Sequence, residues 1–134
     1  MLKKINRLTS KDINFLFKKQ NIIHWKFFSF FYFFQYPNKK YNQYSVQISL
    51  KFSKKTVLRT LIKRILYNHI KNKDYVSSPY NNKFYKIFVI TNKATNDFLK
   101  KLVETKDKKH IKEEIKEMFD ISFKNLSNKL WTNL

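Results

Sequence analysis

The sequence predicts an α+β domain, a two-layer sandwich of helices on a mixed sheet, in the order α-β-β(-β)-α-β-α across residues 1–134. Three observations carry it. Residues 54–71 place Val57, Leu58, Leu61, Ile62, Ile65, Leu66 and Ile70 at helical spacing, with no Pro or Gly to break the pattern. Residues 43–51 alternate apolar and polar side chains, the period of a half-buried strand. Residues 84–91 form a nearly continuous apolar run, as a strand covered on both faces does. One domain of this length is large enough to bury a core.

The elements follow in chain order. Ser10 is the expected N-cap of a short helix from Lys11 to about Lys19, with Asp12 in its first turn and Ile13, Leu16 and Phe17 on one face. Residues 21–36 are rich in aromatic and β-branched side chains and read as one bent strand or as two strands broken near Trp25-Lys26. Residues 36–40 contain Pro37-Asn38 and read as a turn. In residues 43–51, Tyr44, Val46, Ile48 and Leu50 should point one way, and this run should pair antiparallel with the aromatic run before it. The central helix then runs to about Asn72 with Ser53 as its N-cap. A polar loop (73–83) with Ser77-Ser78-Pro79 and Asn81-Asn82 leads to the strand at 84–91. Asn96 or Asp97 should cap a helix over 98–104, and a last helix after Asp107 aligns Ile111, Ile115, Met118, Phe119 and Ser122.

Charge is the strongest functional signal. The chain carries 29 Lys and Arg against 9 acids, a net +20. Residues 1–73 hold 17 of these cations against Asp12 alone, whereas residues 74–134 hold 12 against 8 acids. On the central helix, Arg59, Lys63, Arg64 and Lys71 have no carboxylate at helical spacing, so their counter-charge must come from outside. Aromatics make up 18% of the chain. Cations interleaved with rings suit nucleic acid, because phosphates take the former and unpaired bases stack on the latter.

Other chemistries lack their residues. There is no Cys, so neither disulfide nor thiolate metal site, and no Gly, so no glycine-rich phosphate loop. Turns must use Asn or Asp where left-handed backbone is required. His24, His69 and His110 lie far apart and are expected to be half-buried or surface residues, with no metal site in the protein. Lys outnumbers Arg 26 to 3, the drift expected of an A/T-rich gene. No secretory signal is read, and residues 27–34 are too short to span a bilayer as a helix. A membrane-surface role for that run is one alternative reading; a ribosomal or other structural RNA-binding protein without a processing role is another.

The residues then resemble one family. A basic helix that follows a hairpin and carries an Arg-Asn-Arg-Ile-Lys-Arg core is the signature of the bacterial ribonuclease P protein subunit. Arg59-Thr60-Leu61-Ile62-Lys63-Arg64 stands in that place and matches it at four of six positions. The opening Leu2-Lys3-Lys4-Ile5-Asn6-Arg7-Leu8, the short helix with Asp12-Ile13 and Phe17, and the strands Val46-Gln47-Ile48-Ser49-Leu50 and Ile87-Phe88-Val89-Ile90-Thr91 are also similar to the family, over roughly residues 2–126. The departures are Thr60 and Leu61 in place of Asn and the second Arg, Tyr67-Asn68 in place of a usual Arg-Glu, and a loop before the helix that lacks Gly-Asn.

The resemblance implies a left-handed βαβ crossover and a subunit whose partner, a catalytic RNA, breaks the phosphodiester bond with Mg²⁺ held by RNA phosphates. The chain itself would bind no cofactor and would act in the bacterial cytoplasm, one protein per RNA. Carried over residue by residue, Lys54, Lys55, Arg59, Thr60, Lys63, Arg64, Tyr67 and Lys71 would contact the catalytic RNA. Ile13, Phe17, Phe31, Ser49 and Lys51 would hold the single-stranded 5′ leader of precursor tRNA.

Overall fold

The computed structural model describes residues 2–77, 83–105 and 107–131. A short 3₁₀ turn (Lys4–Asn6) precedes α1 (Ser10–Lys19), β1 (Ile22–His24), β2 (Phe28–Phe34), β3 (Gln43–Gln47), α2 (Thr56–Asn72), β4 (Tyr85–Thr91), α3 (Lys93–Thr105) and α4 (Lys108–Trp131). Four strands form one mixed sheet in the order β1-β2-β4-β3. The aromatic stretch is thus two strands, with the break at Trp25–Lys26–Phe27.

One pairing differs from the sequence expectation. β2 and β3 are not neighbours, because β4 lies between them, antiparallel to β2 and parallel to β3. The reason is a match of length and hydrophobicity. β2 and β4 are both 7 residues long and pair from Phe28↔Thr91 to Phe34↔Tyr85, whereas β3 has 5 residues. The most apolar strand takes the position that covers both its faces. β3 also stops early: Ser49 N–H donates to Thr91 Oγ1, Phe52 N–H donates to Ser49 O, and Leu50 turns out to solvent instead of joining Tyr44, Val46 and Ile48 inside.

Alternation sends each strand's side chains to two cores. Phe28, Phe30, Tyr44, Val46, Ile87 and Val89 face α2 and α4, where Ile62, Leu66, Ile70, Ile115, Phe119 and Leu126 complete the main core. Phe31 and Phe88 face the other way, onto Leu8 and Leu16 of the N-terminal segment and α1. The last helix is longer than the spacing of apolar residues to Ser122 shows, and ends with Trp131 buried and its Nε1–H donating to Lys83 O at 2.7 Å. Leu58 and Leu61 are half-buried and Val57 is exposed, so the apolar face of α2 is narrower than its sequence suggests.

Caps and turns shift locally. Thr9, not Ser10, caps α1 through a reciprocal pair of hydrogen bonds with Asp12. Lys55 occupies the N-cap of α2, while Ser53 Oγ accepts from Lys55 N–H one turn earlier. Asn92 caps α3 by accepting from Thr95 N–H, five residues before the expected start at Phe98. Asp107 accepts from His110 N–H at the start of α4, which begins after Asp107 as the sequence predicts. In a chain without glycine, the left-handed positions fall to Asp74 and, against expectation, to Gln20. His69 is buried and bonds Asp120 Oδ1 at 2.6 Å, and Tyr75 O–H donates to the same oxygen. Tyr75 also stacks on Phe123 at 4.0 Å, so the start of the 73–83 loop is part of the core; Ser78 to Asn82 lie outside the described residues.

α1 is pinned to the sheet by a buried ion pair. Lys86, on the α1 side of β4 and 1% exposed, donates to Asp12 Oδ1 at 2.9 Å. Partial burial pushes the Asp12 carboxyl up, but the Lys86 ammonium and the Thr9 donors outweigh it and hold it below the ordinary carboxylate range. A folded-state pKa below the unfolded value adds stability that is complete above about pH 4. That stability is lost as pH falls through the folded value. Asp12→Asn should therefore destabilise by about 3 kcal/mol at neutral pH, because it strands a buried ammonium. In urea melts the difference from wild type should shrink as pH falls below about 4.

Candidate nucleic-acid interface

Two surfaces gather the predicted site residues. The first is the outer side of α2. Lys54, Lys55, Arg64 and Lys71 are exposed, while Arg59, Thr60, Lys63 and Tyr67 are half-buried. Thr60, Lys63, Tyr67 and Lys71 follow one another at helical spacing. Tyr67 marks where that row lies: its hydroxyl accepts from Val46 N–H at 2.9 Å, so the row runs along the outer edge of β3, beyond the bridge that Arg7 makes at Tyr44. Arg59 folds back on the preceding loop, with Nη1 donating to Ser53 O at 2.9 Å and Nη2 to Thr56 Oγ1 at 3.3 Å. Arg64 lies on the neighbouring row with exposed Val57 and half-buried Leu61.

The charges of this side remain uncompensated inside the protein. Among the described residues the ion pairs are His69–Asp120, Lys86–Asp12 and His110–Asp107, and none involves a lysine or arginine between Lys51 and Lys71. In the C-terminal third Asp120 serves the core and Asp107 the start of α4, while Glu104 on α3 shares a cleft with Lys55 without an ion pair to it. A phosphate backbone approaching α2 meets cations with no internal partner to displace.

The second surface is a groove of about 420 Å³ between α1 and the β3–β4 end of the sheet, lined by Phe17, Gln47, Ser49, Leu50, Lys51, Ile90 and Thr91. Three of the five predicted leader residues, Phe17, Ser49 and Lys51, line it. Phe17 is 42% exposed and sits edge-on to Phe31 at 4.9 Å and to Phe88 at 5.5 Å. Phe31 is buried, so it supports Phe17 from below and offers no open face; half-buried Ile13 packs on the same cluster. Gln47, Leu50, Ile90 and Thr91 were missed. Alternation along β4 points to Ile90 only once the α1 side of the sheet is known.

Ser49, Lys51 and Thr91 also border a cleft of about 610 Å³ with Asn92, Lys93, Asn96, Asp97 and Lys100 at the start of α3. The later start assigned to that helix hid this cationic lining. Among the described residues no three His, Cys, Asp or Glu side chains converge as a metal site. The arrangement places cations and an exposed ring where phosphates and unpaired bases could be held.

No family model matches the chain, and no curated protein matches it. Solved structures do. The chain is similar to the RNase P protein of Staphylococcus aureus, at 17% identity and a TM-score of 0.58, covering 87% of this chain and 94% of that one. It is similar to the RNase P protein of Thermotoga maritima, at 20% identity and a TM-score of 0.60, covering 84% and 93%. The Thermotoga maritima protein in complex with 1-(4-fluorophenyl)-2-thiourea aligns at 19% identity with a TM-score of 0.61. The α+β architecture is therefore that of bacterial RNase P proteins.

Tyr67 separates a structural from a binding contribution on α2. Tyr67→Phe removes the acceptor of a backbone N–H on an edge strand and should cost about 1–2 kcal/mol in denaturant melts. RNA affinity of the folded variant should change less than twofold if the hydroxyl serves β3 alone.

Proposed function

We propose that this chain is the protein subunit of a bacterial-type ribonuclease P, which assists a catalytic RNA in removing the 5′ leader of precursor tRNA. The observation that carries this reading is a juxtaposition on one fold. An unneutralised cationic helix side, α2, stands beside a groove whose exposed ring is Phe17 and whose rim is Ser49 and Lys51. The shared architecture with solved RNase P proteins and the four matched positions of Arg59–Arg64 support the same reading.

In this reading the two surfaces take different RNAs. Lys54, Lys55, Arg59, Lys63, Arg64 and Lys71 neutralise phosphates of the folded catalytic RNA, with Thr60 and Tyr67 on the same row. Phe17 stacks an unpaired leader base, and Lys51 and Ser49 take the adjoining backbone. Stacking on a ring tolerates any base, at about 1–3 kcal/mol each, which suits leaders of varied sequence. In this reading Mg²⁺ would be held by RNA phosphates, and the protein's own residues bind and orient. One protein would serve one RNA in the bacterial cytoplasm. No helix among the described residues is long and apolar enough to cross a membrane.

A structural RNA-binding protein shares the charge but has no reason to distinguish leader-bearing tRNA. With the catalytic RNA bound, the complex should hold precursor tRNA more tightly than mature tRNA. Phe17→Ala should reduce that preference by roughly five- to a hundredfold, the equivalent of one stacked base. Equal affinity of wild type for both tRNAs would select the structural reading. Lys63→Ala and Arg64→Ala should each lower the salt slope of catalytic-RNA binding by about one, with the fold intact by circular dichroism. The protein without RNA should leave precursor tRNA uncut in single-turnover assays.

A further inference from the structure

The flank of α1 opposite Phe17 carries a feature that the proposed function leaves unused. Residues 21–36 read in the sequence as aromatic strand, and the end of β2 turns its rings outward. Phe34 is 62% exposed, Tyr36 52% and Phe15 37%. Phe33 and Lys86 face the α1 side of the sheet and Phe34, paired with Tyr85, the α4 side, so the rings meet around the end of β2, and Tyr36 joins Phe15 through Lys86. Phe15 meets Phe33 edge-on at 5.3 Å, Phe33 meets Phe34 at 5.7 Å, and Phe34 rests on Tyr85 at 5.5 Å with the planes 28° apart. Isolated exposed rings are ordinary, but a connected patch marks a contact surface.

Cations frame these rings. Lys19 Nζ lies 5.4 Å from the centre of Phe15 and 5.2 Å from that of Phe33, and Lys39 Nζ lies 5.4 Å from Tyr36. Lys86 sits under the patch, 3.7 Å from Tyr36 and 5.5 Å from Phe15, with its charge met by Asp12. Lys19 and Lys39 form no ion pair among the described residues. A partner that fits must offer flat π faces to the rings and negative charge to these two ammonium groups.

We infer that this flank is a second stacking surface for unpaired nucleotides, with Phe34, Tyr36 and Phe15 as the platform and Lys19 and Lys39 on the backbone. Charge complementarity selects a polyanion with aromatic faces. Continuity supports it, since α1 presents Phe17 to the groove on one side and Phe15 to this patch on the other, so a strand crossing α1 reaches both. The inference rests on the proposed reading only in taking RNA as the polyanion; the site itself shares no residue with the groove.

The test is an anisotropy titration of the full chain with a fluorescein-labelled oligoadenylate hexamer. Wild type should bind two hexamers. Phe34→Ala combined with Tyr36→Ala should lose one of them, with a roughly five- to hundredfold weakening per ring removed, and Phe17→Ala should lose the other. If the double variant binds as wild type while Phe17→Ala does not, the inference fails and the leader groove stands. If the double variant loses a hexamer while Phe17→Ala does not, the inference stands and the groove reading fails. Loss of binding to phosphatidylglycerol vesicles in the double variant, with hexamer binding unchanged, would overturn the inference in favour of a lipid surface. Photocrosslinking of a 4-thiouridine hexamer to wild type reads the same site without a substitution. A crosslink within residues 34–36 supports the inference, and none there contradicts it.

Discussion

β4 is hydrogen-bonded along both edges, antiparallel to β2 and parallel to β3, and every functional feature depends on that placement. The parallel pair requires a crossover, and α2 supplies it. This puts the basic helix over the main core with its cationic row along the edge of β3. The antiparallel pair brings Phe88 beside Phe31, and so prepares the floor on which α1 and Phe17 rest. Move β4 to an edge, as a simple β2–β3 hairpin would, and both the groove and the register of Ser49 with Thr91 disappear.

The distribution of acids complements this geometry. A chain with 9 acids and 29 cations has few counter-ions to place. Asp12 goes to buried Lys86, Asp120 to buried His69 and Tyr75, and Asp107 to the start of α4. Each is placed where an unpaired partner or an uncapped helix would be costly. No ion pair among the described residues reaches a lysine or arginine of α2. Residues that hold the fold and residues that await a partner are thus separated by where the carboxylates go.

Much of this was legible in the sequence. The amphipathic pattern of 54–71, the apolar run at 84–91 and the helix after Asp107 each rest on local periodicity, and their elements stand within a few residues of expectation. What escaped was non-local. Pairing of β2 with β4 rather than β3 depends on matched strand lengths across 50 intervening residues, which no local pattern encodes. Leu50 satisfies the alternation of its strand, yet the chain turns at Ser49 because Thr91 takes its N–H. Tyr67 looked like a surface ring, whereas its hydroxyl completes an edge strand. Of the site residues, Phe17, Ser49 and Lys51 come together, and Phe31 lies beneath them. Phe34 and Tyr36 were hidden within an aromatic run whose composition indicates strand without saying which rings face out.

The central claim is that α2 and the groove are where RNA meets this protein. Lysine acetylation with mass-spectrometric readout, with and without ribonuclease P RNA, tests it most directly. The account predicts that Lys54, Lys55, Lys63 and Lys71 become protected when the RNA binds, that precursor tRNA adds Lys51, and that Lys112, Lys116 and Lys124 on α4 stay reactive. Protection centred on α4, or spread evenly over all the lysines, would contradict it.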